Sequence, residues 1–268
     1  MASITMNLGK GIQKLKVHVW SPAKEVLSPA KRRDFLIWCA GMLMTTVAGL
    51  LFTQATRMTD KTSVVSSLNG VGLIALSIFS VIVLKERVGP REWSAVMMII
   101  CGTGMFQFFN KASEGGQHFD FNTLLFCLAG CVLVYAVLSV AANRMKKGIA
   151  FVYAAIAGTF LAFMVIFFDI AAVKGEGRPF LASILTSYWL LGFFMGNGAF
   201  LFTNMAFFHG AGIVIVPTVN SFMIVVPMIL EIFIFKVMLL PVQYLGAGII
   251  VLGVILLTTG GEKGSSHR

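Results

Sequence analysis

Polar side chains that stand inside long apolar runs are the groups of this sequence best suited to chemistry. They are five amides and one hydroxyl: Gln54, Asn69, Asn197, Asn204, Asn220 and Ser221. A polar side chain in hydrocarbon is costly unless it finds a hydrogen-bond partner or a water-filled cavity. The sequence therefore predicts a central cavity in which these side chains bind a small polar or amphipathic solute. Hydrogen bonds between neighbouring helices are the alternative, since such residues often provide them.

One acidic residue, Glu231, lies well inside an apolar run, four residues from its end. A carboxyl group there could pass a proton through the membrane, so Glu231 is the predicted proton-coupling residue. The alternative is an acid near a helix end that reaches loop water or Lys236. The sequence contains no visible Ser-His-Asp, Cys-His or paired-carboxylate arrangement, so we expect no enzyme, no metal site and no cofactor.

The composition indicates which solvent surrounds the chain. Of its 268 residues, 57% are hydrophobic and only 12% are charged, about half the charged share of a soluble domain. Such a chain cannot cover its outside with polar groups, so the lipid bilayer is its expected environment. This composition argues against a soluble enzyme, a disordered chain and a nucleic-acid-binding domain.

Eight apolar runs predict transmembrane helices, because each is near the ~20 residues that a helix needs to cross the hydrocarbon core. An open sheet edge in lipid would leave backbone groups unpaired, so helix is expected throughout. The predicted spans are 35–56, 63–84, 92–109, 121–143, 148–173, 183–207, 213–235 and 242–259. The sequence thus predicts an all-α integral membrane protein of the inner or plasma membrane.

Residues 1–34 differ in kind from the rest of the chain. Four apolar residues recur there at helical spacing among lysines: Leu8, Ile12, Leu15 and Val19. This pattern predicts a basic amphipathic helix on the cytoplasmic membrane surface, with a flexible tail as the alternative. With eight spans, Lys and Arg are more frequent on the side that holds both termini, so both, including the tail 260–268, are expected in the cytoplasm.

The sequence contains an internal repeat. Leu51-Phe52-Thr53-Gln54 in the first span matches Leu201-Phe202-Thr203-Asn204 in the sixth, at an offset of 150. Beyond the next loop the offset becomes 151, and the further matches are Asn69 with Asn220, Lys85 with Lys236, Pro90 with Pro241, Trp93 with Tyr244, and Gly102 with Gly253. Matches of polar, proline and aromatic residues in one register are much rarer by chance than apolar matches.

The first three spans therefore repeat as the last three. Five spans separate equivalent members, and five is odd, so the two copies enter the membrane from opposite sides. Inverted repeats are typical of transporters, whose similar halves exchange inward and outward openings around a midplane site. The fifth span maps onto the amphipathic segment and the fourth falls before Met1. The first copy is therefore expected to lack up to two spans, through a late start or a shortened chain.

A longer motif carries a family resemblance. The run Val83-Leu84-Lys85-Glu86-Arg87-Val88-Gly89-Pro90-Arg91-Glu92-Trp93, with the Gly-containing apolar helix after it, resembles the EamA-type permeases of the drug/metabolite transporter superfamily. The resemblance implies ten helices in two inverted five-helix repeats. Residues 35–110 would then hold an incomplete first repeat of three spans, and 121–259 a second repeat of five. The second copy departs from the motif, since Lys236-Val237-Met238 has no Glu after the Lys.

The resemblance implies a secondary permease that moves a small metabolite or drug-like solute by alternating access. Its partners would be that solute, the bilayer and possible further copies or other subunits, with no nucleic acid. A divalent-cation carrier of the magnesium type is one alternative, although the spans hold few carboxylates for a hard cation. A non-transporting membrane subunit is another, because helices of the first repeat are absent. Met and aromatic residues could also line an apolar solute pocket.

Overall fold

The computed structural model describes residues 1–20, 29–57, 69–86, 88–108, 120–145, 148–174, 187–234 and 240–261. Within these ranges the chain is helical and holds no strand. The α-helices are α1 (Ala2–Leu15), α2 (Pro29–Arg57), α3 (Asn69–Ile82), α4 (Pro90–Phe108), α5 (Phe121–Met145), α6 (Ile149–Lys174), α7 (Ser187–His209), α8 (Gly212–Ile234) and α9 (Pro241–Gly261). A short 3-10 helix, Val17–Trp20, follows α1.

Among the described residues, five helices, α5 to α9, are long and apolar enough to cross a membrane. They coincide with the last five predicted spans, so the all-α prediction is confirmed at this level. α2, α3 and α4 cover the first three predicted spans but are not among the five. α4 begins with the charged pair Arg91 and Glu92, and residues 63–68 of the second predicted span lie outside the described residues.

The chain divides into two compact units. The first unit is Met1–Lys111, Phe207–Pro217 and Pro241–Arg268, and the second is Ala112–Ala206 and Thr218–Leu240. α9 therefore belongs to the same unit as α1 to α4. The boundary predicted after residue 34 lies inside α2, which begins at Pro29, because the charged residues before the apolar run continue the same helix.

In the first unit, α1 packs antiparallel to α2. A Cβ added to Gly9 would lie 2.5 Å from Thr45 Oγ1 and 2.7 Å from the carbonyl oxygen of Gly41. The two backbones therefore approach as closely as a glycine allows. Lys16, just beyond α1, forms an ion pair of 2.6 Å with Asp34 in the early part of α2, which fixes the opposite directions of the two helices.

α1 also packs parallel to α3. A Cβ on Gly72 would lie 2.3 Å from both Ser3 Oγ and Asn7 Nδ2, and one on Gly11 would lie 2.7 Å from the ring of Phe79. Early residues of α1 thus lie at the start of α3, and later residues lie further along it. α1 thus lies in a groove whose two walls are α2 and α3, each of which contacts α1.

The face that α1 buries in this groove is polar and small. Its buried residues are Ser3, Asn7, Gly9, Gly11 and Gln13, whereas Leu8 and Ile12 are half-buried and Leu15 is exposed. The segment is helical, as expected, but its helix covers 2–15 where 8–19 was predicted. Its polar face contacts α2 and α3, and the expected position on the membrane surface stays a prediction.

In the second unit, α6 packs antiparallel to α7. A Cβ on Gly192 would lie 2.5 Å from the ring of Phe168, and one on Gly198 would lie 2.5 Å from the ring of Phe160. α6 also approaches α8, since a Cβ on Gly158 would lie 2.5 Å from the carbonyl oxygen of Val219. Further along both helices, α6 and α8 share one apolar cluster: Phe163, Ile166, Phe167, Ile170, Leu230 and Ile234, with Leu124 of α5. α6 and α8 are therefore parallel.

α4 and α9 form an antiparallel pair in the first unit. A Cβ on Gly102 would lie 2.7 Å from the carbonyl oxygen of Gly246, and one on Gly253 would lie 3.0 Å from that of Ala95. At one end of the pair, Arg91 donates a hydrogen bond to Thr259 Oγ1. Small residues on both helices permit this close backbone packing.

Candidate functional site

Asn204 lies in α7, and its side chain is buried against protein, as expected for a residue that lines a cavity. It is 4% exposed, and its Nδ2 donates to the carbonyl oxygen of Phe200 at 2.9 Å. Thr203 donates in the same way to Ala199 at 2.7 Å. Each side chain thus donates a hydrogen bond within its own helix, which lowers the free-energy cost of burying it.

Asn220 and Ser221 are buried in α8, each 2% exposed. Ser221 Oγ has no hydrogen-bond partner among the described residues. A buried hydroxyl without a partner is costly, so its presence favours a ligand or water nearby. These two residues and Asn204 belong to the second unit, and all three are buried.

Asn197 does not share that environment. It is exposed on α7, and its Nδ2 donates to the carbonyl oxygen of Phe193 at 2.8 Å. Gln54, Asn69 and Glu231 lie in α2, α3 and α8, but their side chains are outside the described residues. The predicted convergence of amides from both copies, and the role of Glu231, therefore stay predictions.

The described residues form a cavity, about half open to the surroundings, that the amide pattern did not predict. It lies within the second unit between α5, α6 and α7, and its volume is about 330 Å³. A volume near this size is at the lower end of small-molecule sites. Its lining is apolar and aromatic, with few polar groups: Leu128, Cys131, Val132, Tyr135, Ala136, Ser139, Ile156, Thr159, Phe160, Phe163, Met195 and Phe202.

A pair of hydroxyl groups gives the cavity a polar point. Tyr135 Oη and Thr159 Oγ1 are 2.6 Å apart. One hydroxyl hydrogen makes this bond, which leaves the other hydrogen and further lone pairs for a ligand. The rings of Phe160 and Phe202, whose centroids are 5.5 Å apart, form an aromatic wall. The residues that line the cavity include no Lys, Arg, Asp or Glu.

A signal for this cavity exists in the sequence of α5. Leu128, Cys131, Tyr135 and Ser139 recur every three or four residues and so share one helix face. The pattern alone does not distinguish a packed face from a cavity wall, because the space is defined only when α6 and α7 are added. Among the described residues, no group of three His, Cys, Asp or Glu side chains could hold a metal ion.

No family model, no curated protein and no solved structure matches this chain. The resemblance to EamA-type permeases therefore rests on the residues quoted above.

Proposed function

We propose that this chain is a secondary membrane transporter built on an inverted repeat, and that it moves a small, neutral, largely apolar solute. The pairing of α4 with α9 carries the proposal. The offset of 151 relates Gly102 to Gly253 and Ala95 to Gly246. The contact between Gly102 and Gly246 therefore has the contact between Gly253 and Ala95 as its image, and both are present. Antiparallel packing alone brings such pairs of positions together, so the support from the repeat lies in the small residues that stand at these equivalent positions and allow both close approaches.

The packing of α1 supports the same repeat. α1 is antiparallel to α2 and parallel to α3, as α6 is to α7 and α8, and the repeat matches α2 with α7 and α3 with α8. In this proposal α1 is the first copy's counterpart of α6 and crosses the membrane together with the 3-10 helix Val17–Trp20 that follows it, since α1 alone is shorter than a full span. The basic stretch between α1 and α2 then lies on the side of the C-terminus, the cytoplasmic side by the positive-inside rule. Met1 lies on the opposite side, in contrast to the cytoplasmic position expected for a surface helix.

The chemistry of the cavity lining supports a proposal for the solute class. Its aromatic wall suits a flat or branched apolar body, and its hydroxyl pair suits one hydrogen-bonding group. A charged solute would lose its hydration without gaining a partner among the lining residues. We therefore propose a neutral amphipathic aromatic compound as the solute.

Uptake into proteoliposomes tests this function. A panel of neutral aromatic amphiphiles should include a transported compound, and charged analogues should be excluded. Phe160→Ala should reduce uptake of that compound by about tenfold, in line with the loss of a buried aromatic contact. Phe126→Ala is the matched control, because Phe126 is 78% exposed on α5 and does not line the cavity. No uptake of any neutral compound would contradict the proposal. Unchanged uptake by the Phe160→Ala variant would indicate that the solute binds at the buried amides and not in this cavity.

Glu231→Gln tests energy coupling. If Glu231 carries the coupled proton, the variant should still exchange solute but lose its response to a pH gradient. Unchanged pH-driven uptake would reduce Glu231 to a polar residue near a helix end.

A further inference from the structure

The short turn between α7 and α8 is held by two opposite charges from the first unit. α7 ends at His209 and α8 begins at Gly212. Lys14 of α1 donates from Nζ to the carbonyl oxygen of Phe207 and, at 2.7 Å, to that of Gly210. All of these groups lie within the first unit.

Glu86 binds the other side of the turn. The backbone N–H of Gly212 donates to Glu86 Oε1 at 2.7 Å, and that of Ile213 donates to Glu86 Oε2 at 3.1 Å. Glu86 follows α3 in the motif that carries the family resemblance. Its two oxygens satisfy two of the N–H groups that the first turn of a helix leaves without intrahelical partners.

Each charge has the sign that its helix end favours. The C-terminal end of α7 carries partial negative charge, which the ammonium of Lys14 complements, and the N-terminal end of α8 carries partial positive charge, which Glu86 complements. The two side chains meet at Gly212, where an added Cβ would lie 3.5 Å from Lys14 Cγ and 3.6 Å from Glu86 Oε1. The arrangement is therefore specific for charge sign and has little spare room.

We propose that Lys14 and Glu86 are positioning residues that clamp the α7–α8 turn in this conformation, so that the partly exposed turn gains further access to water when the clamp releases. This inference rests on the proposed transport function, in which α7 and α8 must move relative to their neighbours. The repeat places Val237 where the first copy has Glu86. The equivalent position at the other end of the repeat therefore lacks the carboxylate, and the clamp acts at one membrane face.

The test measures water access to the turn directly. A cysteine is introduced as Ala211→Cys in the full chain, in membrane vesicles, and is labelled with a membrane-impermeant maleimide from each side. Labelling of the parent, which has four native cysteines, is subtracted. Adding Glu86→Gln or Lys14→Met should raise the labelling rate by about threefold or more, because local opening becomes easier. Lys16→Met is the matched control, since Lys16 pairs with Asp34, and it should leave the rate unchanged.

The charge-swapped pair, Lys14→Glu with Glu86→Lys, separates this clamp from a simple ion pair. A carboxylate would then face the carbonyl groups of α7 and an ammonium the N–H groups of α8, so the swap should stay as open as the single variants. Lys14→Arg keeps the donor and should retain the parent's protection, which would show that a cationic donor at this position is sufficient. Thermal unfolding of Lys14→Met, compared with that of the Lys16→Met control, shows whether the neutral variant is folded. Unchanged labelling in both neutral variants, or full protection in the swapped pair, would overturn the clamp.

Uptake measured on the same vesicles separates the two proposals. If the parent transports no solute, the transport function fails while the labelling result still decides whether the clamp exists. If the parent transports, the neutral variants should change the maximal rate more than the half-saturating concentration, because Lys14 and Glu86 do not line the cavity.

Discussion

α1 and α6 hold similar positions in their own units and achieve them with opposite chemistry. Each helix is antiparallel to one neighbour and parallel to another, and each makes close approaches through glycine. α6 surrounds its contacts with aromatic rings such as Phe160 and Phe168. α1 instead buries Ser3, Asn7 and Gln13. The shared feature is close backbone packing, and the polarity of the buried face differs.

This difference shows what hydropathy can and cannot detect. In lipid, helices associate by close packing and interhelical hydrogen bonds, because lipid tails are as apolar as Leu. A helix can therefore turn a polar face inward and an apolar face outward. α6 is found by its apolar run. The apolar spacing in residues 8–19 predicts a helix at α1, but only the small residues and the partners they meet show which face of α1 is buried.

The largest expected effect comes from filling the contact between α1 and α2. Gly9→Leu places a side chain where Cβ alone would lie 2.7 Å from a carbonyl oxygen of the backbone. The backbone cannot rotate away, so we expect the free energy of unfolding to fall by about 3 kcal/mol, the upper part of the range for overpacking. Thermal unfolding of the purified protein measures it. Gly49→Leu, at a glycine with no atom within 4 Å of its added Cβ, is the control, and equal losses in the two variants would show that α1 does not pack as described.

A matching change in the second unit sharpens the comparison. Gly158→Ala brings Cβ to 2.5 Å from the carbonyl oxygen of Val219, and we expect a loss of about 1–2 kcal/mol, the lower part of the range for overpacking. Gly130→Ala on α5 meets no atom within 4 Å and should stabilise by about 0.5–1 kcal/mol through helix propensity. A stabilised Gly158→Ala variant would contradict close packing between α6 and α8.

A smaller effect tests the polar chemistry that only α1 has. Gln13 is 2% exposed, and its Nε2 donates to Thr45 Oγ1 at 2.9 Å. Gln13→Leu should cost about 0.5–1.5 kcal/mol, the net value of a hydrogen bond. A double-mutant cycle with Thr45→Val measures the coupling energy between the two side chains. A coupling energy of zero would show that this hydrogen bond does not stabilise the packing of α1 against α2.

The smallest effect concerns the charged end of the groove. Hydrogen bonds from Lys16 and then from His18 lower the pKa of Asp34. A lowered pKa contributes stability above the ordinary range of an aspartate and loses it as the pH falls through the lowered value. Asp34→Asn should therefore be slightly less stable than the parent near neutral pH, and the difference should shrink on acidification below about pH 4. A difference that grows with acidification would contradict the ion pair.

The sequence predicts α5 to α9 well because long apolar runs leave no other structure possible in lipid. Asn204, Asn220 and Ser221 are buried, as polar groups within apolar helices are in either a cavity or a helix contact, and their role in binding a solute stays a prediction. Asn197 differs because its hydrogen bond to Phe193 satisfies its amide on an exposed face. The cavity was not predicted because Phe160 and Tyr135 become its walls only when helices distant in sequence meet.

The polar inner face of α1 also has a consequence for biosynthesis. α1 is made before the two helices that cover Ser3, Asn7 and Gln13, and an isolated helix with these groups and two lysines is a poor candidate for insertion into lipid. α5 has almost no buried surface and can enter the bilayer alone. In the proposed topology, α1 would therefore stay outside the hydrocarbon until α2 and α3 are in place. Its insertion would then follow theirs, although α1 precedes both helices in the chain.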